Sequence, residues 1–110
     1  MTRRELIELC LAYAQVYEDY PFDPAPDAKN AWTVMRHRGS KKGFAFIFER
    51  GGLCVNLKCE PMRADFLRQA LPGVSPAYHM NKTHWNTVCV GQVSAEELKD
   101  MLTISYRLTE

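Results

Sequence analysis

The sequence predicts an α+β domain, with one antiparallel sheet of about five strands and helices packed on one face, in the order α-β-β-β-α-β-β-α. Three observations carry this prediction. Capping boxes at Thr2/Glu5 and Ser94/Glu97 open apolar-striped segments near both ends of the chain. Between them lie alternating, strand-like runs joined by turns rich in glycine and cations. Those runs are grouped between helical segments instead of alternating with them one for one. At 110 residues the chain has the length of a single domain, taken as 1–110.

The first helix starts after Thr2, with Leu6, Leu9, Cys10, Tyr13, Val16 and Tyr17 at helical spacing, so it is expected to run to about Gln15 or Glu18. Pro21, Pro24 and Pro26 make residues 20–28 an extended connector, because proline blocks helix continuation. Residues 31–38 alternate Trp32 and Val34 against Thr33 and Met35. In the next run Phe44, Phe46 and Phe48 are expected on one face, with Ala45 and Ile47 on the other. Leu53, Val55 and Leu57 share a face in the third. Pro61 sits at a favoured first helical position. Met62, Phe66, Leu67, Ala70 and Leu71 form the expected apolar side of that helix, and Pro72-Gly73 ends it. Extended segments follow at 77–80 and 85–90. The last helix carries Leu98, Met101, Leu102, Ser105 and Tyr106 as its stripe.

Hydrophobic residues make up 46% and charged residues 25%, which excludes a disordered, collagenous or coiled-coil chain. No apolar run approaches the ~20 residues of a membrane helix, and Glu5 and Glu8 interrupt any signal-peptide core. Cys10, Cys54, Cys59 and Cys89 contain no CxxC pair, so reduced thiols in a cytoplasmic protein are expected, with no metal. A monomer without a cofactor is the expected state.

The net charge of +1 conceals an uneven distribution. Residues 1–28 carry −4, residues 29–84 carry +7 and residues 85–110 carry −2. The densest positive stretch is Arg36-His37-Arg38-Gly39-Ser40-Lys41-Lys42, in or beside one hairpin turn. A projecting basic hairpin has the shape of a wing that lays Arg or Lys along phosphates. Arg36, Arg38, Lys41 and Lys42, with Arg50 at the next turn, are therefore candidate DNA contacts. The competing reading is ordinary solubility and edge protection.

Residues 76–87 concentrate polar and aromatic groups: His79, Asn81, Lys82, His84, Trp85 and Asn86. Such groups are costly to cluster unless they hydrogen-bond each other or a ligand. His79, Asn81, Lys82, His84 and Trp85 are thus candidates for a small-ligand or protein-interaction site. A hydrolytic site would need Ser75, Ser105 or Cys89 as nucleophile, and no signature supports one, so no catalytic residue is assigned. A metal site on His79 and His84 lacks a third ligand. Alternatively, Trp85 plugs the core while Asn81, Asn86 and the histidines satisfy a tight turn.

The run Tyr78-His79-Met80-Asn81-Lys82-Thr83-His84-Trp85-Asn86-Thr87-Val88 resembles the signature of the MmcQ/YjbR family of small bacterial proteins. The resemblance continues through Asn56-Leu57-Lys58-Cys59-Glu60-Pro61 and Ser105-Tyr106, with Glu60 where the family usually has Asp. It implies a CyaY-like (frataxin-like) fold, a DNA-binding role for a double wing of hairpins, and no enzymatic activity. An iron role by analogy with frataxin would need an acidic ridge, whereas Glu5, Glu8, Glu18 and Asp19 are sparse.

Overall fold

In the computed structural model, which describes residues 1–22 and 31–110, Thr2 caps the first helix as its spacing requires. Its hydroxyl accepts from the Glu5 amide at 3.1 Å, and the Glu5 carboxylate accepts from the Thr2 amide at 2.8 Å. Helix α1 spans Arg3–Leu11 and buries Leu6, Ile7 and Cys10. It does not continue to Gln15. Gln15 takes a left-handed φ of 56°, and Val16–Asp19 becomes strand β1. Val16 and Tyr17 fit the helical period, but pairing with the next strand satisfies their backbone and buries Val16 on the sheet. Arg4 then reaches Glu18 with two hydrogen bonds, at 3.0 and 3.2 Å. Among the described residues the sheet therefore has six strands, not five. Of the predicted Pro-rich connector, residues 23–28 lie outside the described residues.

Strands β2 (Thr33–His37), β3 (Gly43–Glu49) and β4 (Leu53–Lys58) form the two expected antiparallel hairpins. Positive φ at Gly51 and Gly52 makes the second turn. A bulge separates the phenylalanines. Met35 faces Ala45 while Arg36 faces Gly43, so Phe44 is the extra residue. Its ring turns into the helix side with Ala45 and Ile47, and only Phe46 and Phe48 occupy the other face. Gly43 is required at this bulge, because a Cβ there would meet the Phe46 ring at 2.7 Å and Val34 at 2.8 Å.

Helix α2 (Pro61–Ala70) starts at Pro61, and the Glu60 side chain makes no capping bond. Its expected apolar side is buried only in part, through Leu67 and Leu71. Met62 is 88% exposed and Phe66 64%, while Ala64 is buried and Leu67 packs on the core. Arg68 sets this rotation. Its guanidinium donates to Asn86 Oδ1 at 2.6 Å and to the carbonyls of Lys82 and Trp85. Strand β5 is Val74–Pro76, earlier than the expected 77–80, and β6 is Trp85–Cys89. A 3-10 turn (Val90–Gln92) leads to helix α3 (Ala95–Leu108), capped by Ser94 and Glu97 as the sequence predicts.

The sheet order is β1-β2-β3-β4-β6-β5, with every neighbouring pair antiparallel. Among the described residues the three helices pack on one face. The core between them joins Leu6, Ile7, Phe44, Ile47, Val55, Val88, Leu98 and Leu102. Buried Ser105 ties α3 to two strands, donating to the Phe44 carbonyl at 2.6 Å and accepting from the Lys58 amide at 2.8 Å. Ser105→Ala leaves the buried Phe44 carbonyl and the part-buried Lys58 amide without this partner and is expected to cost ~1–3 kcal/mol in urea unfolding. Met62→Ser, on the exposed side of α2, is expected to stay within ~0.5 kcal/mol of the parent. Equal losses would contradict this assignment of faces.

A candidate aromatic cleft and a basic hairpin

The sheet face opposite the helices is also apolar. Trp32 lies on Phe48, with ring centroids 4.3 Å apart and planes 11° apart, and Phe46 meets Trp85 edge-on at 5.4 Å. Two buried polar residues interrupt this surface, Asn56 on β4 and its cross-strand partner Thr87 on β6. The Thr87 hydroxyl donates to Asn56 Oδ1. Both side chains then hold the backbone of Tyr78: its amide donates to Thr87 Oγ1 and its carbonyl accepts from Asn56 Nδ2, each at 2.8 Å. The chain after β5 is thereby drawn across β6 and β4.

Tyr78 extends the aromatic layer, with its ring 5.6 Å from Phe48. The Arg50 guanidinium covers the Tyr78 ring at 4.2 Å, a cation–π contact. His79 follows in a left-handed conformation, φ 60°, with its ring 3.9 Å from Tyr78. A non-glycine residue there stores strain that its surroundings must hold. Phe22, Trp32, Phe46, His79 and Met80 enclose an open cleft of about 310 Å³. Ligand pockets are commonly ~300–1,000 Å³, mostly apolar with few polar groups. Here the polar group is the exposed imidazole of His79.

The five residues predicted for this loop separate in the structure. His79 lines the cleft, and half-buried Trp85 supports Phe46 in its wall. Asn81 instead builds the turn, with its Oδ1 accepting from the amides of Thr83 (2.8 Å) and His84 (3.2 Å). Lys82 and His84 are exposed and do not line the cleft; their carbonyls accept from Arg68 and from the Cys59 amide. Asn86 serves Arg68 and the Ala64 carbonyl. Sequence reasoning missed Phe22, Trp32, Phe46 and Met80. The alternation of Trp32 and Phe46 was visible, but not which sheet face the helices leave free.

The basic residues separate as well. Arg36 is engaged, its Nε donating to Asp19 at 2.8 Å and its Nη1 to the Lys41 carbonyl at 2.9 Å. Arg38 is exposed beside the Tyr17 ring, 5.7 Å from its centroid. Lys41 and Lys42 are exposed in the turn, which is closed by Lys41 N to the His37 carbonyl (2.8 Å) and His37 N to the Lys42 carbonyl (2.9 Å). Arg50 lies at the other end of β3, about 20 Å away at ~3.4 Å per residue. It joins the Tyr78–His79 group, not the hairpin. Among the described residues, no three His, Cys, Asp or Glu side chains come together to hold a metal ion, and no helix is long and apolar enough to cross a membrane.

Asn56→Ala and Thr87→Val each remove part of the clamp on Tyr78. Each is expected to lower hydrogen-exchange protection of the Tyr78 amide by roughly fivefold or more, from the ~1–3 kcal/mol of a buried polar group left unpaired. Unchanged protection would show that other contacts hold the crossing.

Comparison with known proteins places the chain in a group. The family described as YjbR matches residues 11–108. The uncharacterised protein YyaQ of Bacillus subtilis is 28% identical over 122 aligned positions, covering 100% of this chain and 99% of YyaQ. The uncharacterised YjbR of Escherichia coli is 28% identical, covering 97% of this chain and 86% of that protein. Among solved structures, a Pseudomonas syringae protein superposes with a TM-score of 0.85 at 29% identity, covering 100% of both chains. A Deinococcus radiodurans protein gives 0.79 at 33% identity, covering 97% of this chain and 77% of that one.

Proposed function

The chain belongs to the YjbR family, and we propose that it is a non-catalytic binding module whose site is the aromatic cleft on the helix-free face of its sheet. The observation that carries this reading is the cleft lining: three aromatic rings and a methionine around one exposed histidine. Rings at such spacing favour a flat, mostly apolar guest that stacks on Trp32 or Phe46. His79 offers a hydrogen bond to an acceptor on that guest, and Arg50, one ring away over Tyr78, favours a negative substituent. The ligand class is therefore a small planar aromatic with an acceptor or carboxylate at one edge. The six-stranded sheet with helices on one face is compatible with the frataxin-like arrangement that the resemblance implies. Four free cysteines fit a reducing, cytoplasmic setting.

Titration of intrinsic tryptophan fluorescence with a naphthalene carboxylate is the test. Saturable quenching is expected. Phe46→Ala should weaken affinity by up to about tenfold, since an aromatic contact is worth ~0.5–1.5 kcal/mol. His79→Gly relieves the left-handed strain while removing the imidazole, so it is expected to retain stability and lose affinity. Linear, unsaturable quenching, unaffected by either variant, would refute the site.

A second reading, DNA binding by the β2–β3 hairpin as one wing, is favoured by the exposure of Arg38, Lys41 and Lys42 at one turn. Arg36 is held by Asp19 and Arg50 is remote, which limits the contact to those three. Fluorescence anisotropy with labelled duplex DNA across a salt series checks it. A triple substitution of Arg38, Lys41 and Lys42 to alanine should weaken binding and reduce the salt slope by roughly one per lost phosphate contact. Absent binding at low salt, or an unchanged slope, counts against it.

A further inference from the structure

The two cysteines at the far end of the sheet are placed for chemistry that neither binding reading uses. Cys54 on β4 and Cys89 on β6 are directly opposed partners. They share the face that carries Phe48, away from the helices, because Cys54 also faces Phe48. The Cys89 amide donates to the Gly73 carbonyl at 2.8 Å, away from β4. Cys54 and Cys89 therefore form a non-hydrogen-bonded pair, the kind whose Cα atoms approach to ~4.5 Å. That spacing lies within the ~4.4–6.8 Å that a disulfide bridges. Cys54 is 3% exposed and Cys89 is half-buried, so one thiol is reachable from solvent and the other lies behind it. Cys10 and Cys59 are both buried and have no cysteine opposite them in the sheet.

We propose that Cys54 and Cys89 form a reversible cross-strand disulfide on meeting a small-molecule disulfide, making this end of the sheet a thiol modification site. The Cys89 thiolate attacks one sulfur of the reagent, forming a mixed disulfide and releasing one equivalent of reduced thiol. Cys54 then loses its proton and attacks the Cys89 sulfur, closing the protein bond and releasing the second equivalent. The protein loses two electrons and two protons, and the reagent gains them. Burial, together with the neighbouring Cys89 thiol, pushes the Cys54 thiol up to about 11.

The bond also changes its surroundings. The Cys54 thiol reaches the carbonyls of Gly52 at 3.6 Å and Arg50 at 3.8 Å. Oxidation removes that donor from the turn carrying Arg50, while tying β4 to β6.

The 110-residue chain, incubated with glutathione disulfide and digested without reduction, is the test. Mass spectrometry is expected to find the Cys54 and Cys89 peptides joined and lighter by two hydrogens, and separated again by a phosphine reductant. The joined species should persist in Cys10→Ser and Cys59→Ser. Cys89→Ser, at the half-exposed position, should abolish it while leaving the circular-dichroism spectrum unchanged. A glutathione adduct that stays on Cys89, a bond to Cys10 or Cys59 instead, or no reaction under conditions that modify Cys89 with iodoacetamide would each overturn the proposal. None of these outcomes depends on whether the cleft binds a ligand.

Discussion

One buried polar pair determines the shape of the sheet face opposite the helices. Asn56 and Thr87 stand on neighbouring central strands, where apolar residues would be the ordinary choice, and they satisfy each other and both backbone groups of Tyr78. Buried polar groups of this kind are costly when unpaired, so the network admits one path for the crossing chain. From that path follow the placement of Tyr78 against Phe48, of Arg50 over Tyr78, and of His79 at the cleft edge. Without the clamp, the sheet would present a flat apolar face; with it, that face becomes a walled cleft.

Local signals in the sequence were legible where local chemistry decides. Both capping boxes, the two hairpins and the stripe of α3 agree with the structure, because each depends on residues only a few positions apart. The failures involve tertiary choices. Val16 and Tyr17 fit a helix as well as a strand, and the open edge of β2 decided between them. Met62 and Phe66 fit an apolar helix side, but Arg68 bonding to Asn86 and the 82–85 loop turned them outward. The bulge at Phe44 moved one phenylalanine to the opposite face, which strict alternation cannot anticipate.

The candidate site was legible in part. The 78–88 run contributes His79 and Met80 to the candidate cleft, yet within it Asn81 and Asn86 do structural work, and the rest of the cleft wall comes from Trp32 just before β2, Phe46 on β3 and Phe22. The positive middle segment also divides on folding. Arg36 and Arg68 are engaged by Asp19 and Asn86, Arg50 belongs with Tyr78, and Arg38, Lys41 and Lys42 remain exposed at the hairpin. Charge polarity along the sequence is therefore only partly a polarity of the surface. The two ends of the sheet differ in kind, one basic and the other carrying the opposed thiols of Cys54 and Cys89.

The most direct measurement is NMR shift mapping, with naphthalene carboxylate added to uniformly labelled protein. The expected result is saturable change at the Trp32 indole, the Phe46 ring, the Met80 methyl and the His79 imidazole, with the amides of residues 38–42 unmoved. Changes confined to the hairpin, or spread without saturation over the whole surface, would contradict a binding cleft on the helix-free face.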